Sequence, residues 1–156
     1  MFRDFTLGVS GMHGFYDPDE RKKYSAFGVD VALRLGVVTF RAEAAAMRMN
    51  IDPDLRGYRF QVVDPFFEKG GFYAELEHPI GSHLILLYRF DLFRRVGAPL
   101  PGSVQELGYD SRILRYTGAL QVLLGESVFV KGSYEYWWFT DFPDTHAAHL
   151  GVGGMF

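Results

Sequence analysis

The sequence predicts an all-β chain, an antiparallel up-and-down transmembrane β-barrel of eight strands forming a single domain over residues 1–156. Three observations predict it. Apolar and polar residues alternate with a period of two through eight successive segments. The connections between those segments alternate between short turns and long loops. Aromatic residues, 17% of the chain with 15 Phe and 9 Tyr, gather on the apolar face of the segments. The 18 Gly and a mean hydropathy of −0.02 suit strands with one apolar and one polar face. No stretch approaches the ~18 uninterrupted apolar residues that a membrane helix requires.

The totals narrow the function classes. A chain of 156 residues is one domain, long enough to close a small barrel. With 16 basic and 19 acidic residues, a net charge of −3 calls for neither nucleic acid nor an anionic surface. The absence of Cys removes disulfides, thiol catalysis and Cys-ligated metal together. No cofactor is implied. The start Met1-Phe2-Arg3-Asp4 carries no signal peptide, so an exported protein would be a mature chain restarted at Met1 or a piece of a longer one.

In chain order, residues 4–16 alternate Phe5, Leu7, Val9, Gly11 and Phe15 against Thr6, Gly8, Ser10 and Met12. The polar break Asp17-Pro18-Asp19-Glu20 precedes a second strand at 24–35, in which Phe27, Val29, Val31 and Leu33 oppose Asp30 and Arg34. Leu35-Gly36-Val37 reverses the chain into a third strand at 38–51. There Ala42–Met49 is a run of good helix formers, and the reading as strand rests on the alternation at its start and on the strand series around it. Residues 52–70 hold two Pro and no steady period, which predicts a long loop. Strands follow at 71–80 and 83–95, joined by a short turn, and a Pro/Gly-rich stretch at 96–110 makes a second long loop. The last three strands are 112–124, 127–140 and 145–156.

Short turns thus follow the second, fourth and sixth strands, and longer loops the first, third and fifth. That is how outer-membrane barrels are built, with short turns toward the periplasm and long loops outside. The expected location is a bacterial outer membrane, with its lipid bilayer as one partner. On the apolar face Phe15, Phe72, Tyr88, Phe90, Tyr116, Tyr136 and Trp138 bunch toward the long-loop ends as a membrane girdle, with Phe5, Phe40 and Phe156 as a sparser second belt. The opposite face would line the lumen with Asp30, Arg34, Arg41, Glu43, Glu75, Glu77, Arg89, Asp91, Arg115, Gln121, Lys131, Glu135 and His149. In a closed eight-stranded barrel those charges must pair with one another, and the last strand must pair with residues 4–16. In a wide barrel they would face water and select solutes. A soluble lipocalin-like binding barrel has the same alternation, with the apolar face turned inward.

The terminal strand Thr145–Phe156, which stops on an aromatic residue, resembles the closing strand of bacterial outer-membrane β-barrels. The resemblance makes Phe156 part of the recognition signal for the barrel-assembly machinery. Lys69–Leu76, Leu87-Tyr88-Arg89-Phe90-Asp91 and Arg115-Tyr116-Thr117-Gly118 are similar to the C-terminal half of sixteen-stranded porins related to the phosphate-selective type. The resemblance covers roughly the last ninety residues. It implies passive passage of small solutes, anionic ones among them, with Arg89 and Arg115 as lumen arginines. The chain departs from that family in having half the strands. A non-conducting barrel acting through its external loops is the alternative.

Other chemistry is weakly signalled. His13, His78, His83, His146 and His149 lack metal-ligand spacing, and His146 and His149 fall on opposite faces of one strand. Ser133, Glu135 and His149 share a face on adjacent strands, but no local motif marks a nucleophile. No enzymatic activity is expected. Acidic loop residues such as Asp17, Asp19 and Asp144 read more simply as solvated loop.

Overall fold

The computed structural model describes residues 2–50, 66–97, 109–125 and 127–154. They form one eight-stranded antiparallel sheet in which every strand pairs with its neighbours in sequence. The strands are β1 (Phe2–Phe15), β2 (Lys23–Leu35), β3 (Val38–Asn50), β4 (Phe66–Ile80), β5 (Leu84–Val96), β6 (Asp110–Leu124), β7 (Val128–Phe139) and β8 (Thr145–Gly154). Among the described residues there is no helix.

The turns are set by backbone chemistry. Gly36, Gly81 and Gly125 each take a positive φ in the three short connections, a conformation that side chains with a Cβ disfavour. The β1–β2 loop is held by Asp17, whose carboxylate accepts from the backbone amides of Lys22 at 2.7 Å and Arg21 at 3.2 Å. Asp17 is thereby committed to the loop's own backbone.

β3 forms along its full length despite its helix-forming residues. Ala42, Ala44 and Ala46 find cross-strand partners in Val31, Val29 and Phe27 of β2, and tertiary pairing overrides local propensity. β4 starts at Phe66, earlier than the expected residue 71, because Glu68, Lys69 and Gly70 stay in register with Arg48, Met47 and Ala46. Pairing carries the strand through a segment with no apolar period of its own. The expected loops at 52–70 and 96–110 lie mostly outside the described residues.

The expected closure is corrected. β1 pairs only with β2, and β8 only with β7, so the sheet is open and the seam between β8 and residues 4–16 is absent among the described residues. Alternation and turn length fix which strands are neighbours and say nothing about the curvature that would bring first and last together. Phe156 lies outside the described residues.

The strands are staggered. One register row runs Gly8, Asp30, Glu43, Tyr73, Asp91, Arg115, Trp137, Thr145. It crosses the middle of β1 and leaves at the first residue of β8, so successive strands slide past one another as they do in tilted sheets.

Most large apolar side chains of the sheet are exposed or half-exposed, and several charged ones are less so. Ala119 is the one described apolar residue that is buried. Val9 is 72% exposed, Phe27 59% and Leu150 81%, whereas the side chains of Glu75 and Glu135 are only 14% and 16% exposed. The sheet curves around its polar face, where a cavity of about 840 Å³ is touched by residues from β1 through β7.

Candidate functional site

The cross-strand registers place all thirteen residues expected to line a lumen on one face, and all seven girdle aromatics on the other. On the polar face most of the charges are joined in a lateral ladder. From β3, Arg41 Nη1 donates to Glu75 Oε1 at 3.1 Å and to Glu77 Oε2 at 3.2 Å on β4. From β5, Arg89 Nη1 donates to Glu75 Oε2 at 3.5 Å, and its Nε and Nη2 donate to Asp91 at 3.0 and 2.8 Å. Arg115 of β6 donates from Nε to Asp91 Oδ2 at 3.0 Å and lies 3.9 Å from Glu135 of β7. Glu135 in turn lies 3.9 Å from His149 Nε2 on β8.

Aromatic rings on the same face support the guanidinium groups. Arg89 lies 4.1 Å over Tyr73, and Arg115 4.8 Å over Trp137. Trp137 Nε1 also donates to Glu135 Oε2 at 2.9 Å. These contacts of Tyr73 and Trp137 were not anticipated from the sequence. The available signal was their position two residues from a carboxylate, Glu75 and Glu135, on the same face. Thr117, between Arg89 and Glu135 in the register, has an enclosed hydroxyl with no hydrogen-bond partner.

Other residues of this face stand outside the ladder. Asp30 and Glu43 oppose each other across β2 and β3, and the carboxylate of Asp30 leans over Gly8. Arg34 lies nearer the short turns. Gln121 and Lys131, directly paired, border a small cavity of about 150 Å³ with Glu77, Ile85, Leu87 and Ala119. Toward the long loops the wall turns apolar, with Met12, Met47, Phe93 and Ile113 around the larger cavity.

The outer face carries an aromatic ladder. Phe72 and Phe90 have ring centroids 5.4 Å apart, Phe90 and Tyr116 5.0 Å, Tyr116 and Tyr136 6.4 Å, and Tyr136 and His146 5.1 Å. Phe5 and Phe40 lie in the adjoining register row with Tyr88 and Tyr134, whereas Phe15 stands apart at the end of β1. Beyond it, at the long-loop ends, the face becomes charged: Arg48 pairs with Glu68 at 3.0 Å, and Asp110 with Arg94 and Arg112 at 2.7 Å each.

Ser133 and His149 are register partners, but no hydrogen bond joins them, and His149 reaches Glu135 only at 3.9 Å. Among the described residues no three His, Asp or Glu side chains are grouped to hold a metal ion. Compared with protein families, with curated proteins and with solved structures, the chain matches none.

Proposed function

We propose that this chain builds the wall of an outer-membrane β-barrel of porin type, through which small solutes pass passively. The observation that carries the reading is the inverted burial: apolar side chains face outward, and charged ones are half-buried on the concave side. In water such an exposed apolar surface promotes association, whereas in a bilayer it is the favourable arrangement. On β5 the outward residues stay apolar or aromatic from Leu84 to Leu92 before Arg94 begins the charged end. That is about 27 Å of strand, or roughly 21 Å of depth at a tilt near 40°, a little under the ~25 Å apolar band of such barrels.

The charge ladder bears on what passes. Arg41, Arg89 and Arg115 are each matched by carboxylates on the same or adjacent strands, so the arginines alone give the wall little preference for anions. The half-burial of these charges leaves a second reading, a narrow barrel with a salt-bridged interior that does not conduct. Planar-bilayer recordings of the refolded protein separate the two. Discrete conductance steps support the porin reading, and a baseline trace from protein shown to be inserted rejects it. Recovery of the expressed protein in the aqueous fraction without detergent would reject the membrane setting altogether.

A further inference from the structure

The two edges of the sheet are long and unpaired. β1 offers the outer edge of Phe2–Phe15 and β8 that of Thr145–Gly154, and no other described strand covers either. Such edges seek partners in any solvent. In a bilayer, where no water reaches the free N–H and C=O groups, an open edge is not tolerated at all.

We propose that two copies of this chain close edge to edge, β8 of each against β1 of the other, into one sixteen-stranded barrel. The inference rests on the membrane reading above. Three observations support closure at these edges, and the second of them favours a second copy over closure of the chain on itself.

The first is direction. In a meander of eight strands β1 and β8 run antiparallel, so β8 of one copy meets β1 of the next in the same antiparallel sense as every other pair in the sheet. A two-fold axis then satisfies both seams at once and leaves no edge. The second is the pattern of ion pairing. Each inner-wall ion pair among the described residues joins residues of one strand or of adjacent strands, and none reaches across the concave space. In a closed eight-stranded barrel the interior is only wide enough for side chains, and charges from opposite walls must meet. A wall that neutralises itself sideways needs no opposite wall, and its arginines keep part of their surface open to solvent. The third is continuity of the outer face. Val9 on β1 and Leu150 and Val152 on β8 are among the most exposed residues of the apolar surface, and pairing β8 with β1 joins two apolar margins.

The chain contains no Cys, so seam cysteines can be introduced without background. One variant carries Ala147→Cys on β8, and a second set carries Thr6→Cys, Ser10→Cys or Met12→Cys on β1, which samples the unknown register. Each β1 variant is refolded in detergent together with the β8 variant and oxidised. A disulfide-linked pair in at least one mixture is expected, with a native mass in detergent of twice the 17.7 kDa of one chain. The double variants on a single chain give the reverse test: an intramolecular disulfide at the mass of one chain overturns the proposal. A ladder of larger oligomers overturns it too, because it means edges that pair without closing. Partition of the unmodified protein into liposomes, measured separately, tells failure of the membrane reading from failure of the two-copy closure.

Discussion

Arg115 donates from Nε to Asp91 Oδ2 at 3.0 Å across the β5–β6 pair, and Asp91 also takes the guanidinium of Arg89 from its own strand. One carboxylate therefore bridges two arginines at the centre of the wall, with Glu75 and Glu135 on their far sides. Asp91→Asn leaves both cations under-compensated in a half-buried setting. A loss of about 1–2 kcal/mol is expected, less than for a fully buried pair because solvent reaches all three groups. Urea titration in detergent measures it, and an unchanged midpoint would show that the ladder contributes nothing to stability.

Thr117→Val is expected to move the other way. The Thr117 hydroxyl is enclosed without a partner, and its replacement by a methyl of similar shape removes an unmet polar group. A gain of up to about 1 kcal/mol follows. A clear loss in the same titration would mean that a water molecule holds the hydroxyl.

Two glycines should respond oppositely to Ala. A Cβ built on Gly71 comes 2.7 Å from the backbone oxygen of Leu92, which belongs to the paired strand and cannot turn aside. Gly71→Ala should cost on the order of 1–3 kcal/mol. Gly118 meets nothing within 4 Å and floors an outer groove lined by Phe40, Leu76, Tyr88 and Tyr134, so Gly118→Ala should be neutral or stabilising by up to about 1 kcal/mol. Thermal unfolding of both variants checks the contrast.

Neighbouring positions on opposite faces give a direct probe of setting. Leu120 points outward and Gln121 inward. If the outer face meets lipid, Leu120→Arg costs about 2–4 kcal/mol near mid-depth and Gln121→Arg much less. Folding yield into lipid vesicles distinguishes them, and equal yields would argue against a lipid-facing surface at Leu120.

Much of the strand plan could be read from the sequence because a period of two survives in all eight segments, even through the alanines of β3. The beginning of β4 could not, since Glu68-Lys69-Gly70 has no apolar rhythm and is held only by pairing with β3. Which face turns outward was equally beyond the pattern: Leu7 and Thr6 alternate in the same way whether the apolar side faces lipid or a core. The thirteen candidate wall residues were separable by face from parity alone. Their partners were not, because the contact of Arg115 with Asp91 and Trp137 depends on the registers of three strands at once. Closure depends on sheet curvature, which no local signal encodes.

The stagger of the strands gives the charge ladder a slope. Arg41 sits close to the Gly36–Val37 turn, whereas Arg115 lies far up β6 from the turn at Gly125. Their distances from the turn ends differ by about 20 Å of strand, or roughly 15 Å of depth at a tilt near 40°. Under the porin reading proposed above, a solute travelling along the wall would meet the arginines one after another, each with its counter-charge beside it. Instead of a single charged ring, the arginines and their carboxylates would present it with a flight of small opposed dipoles.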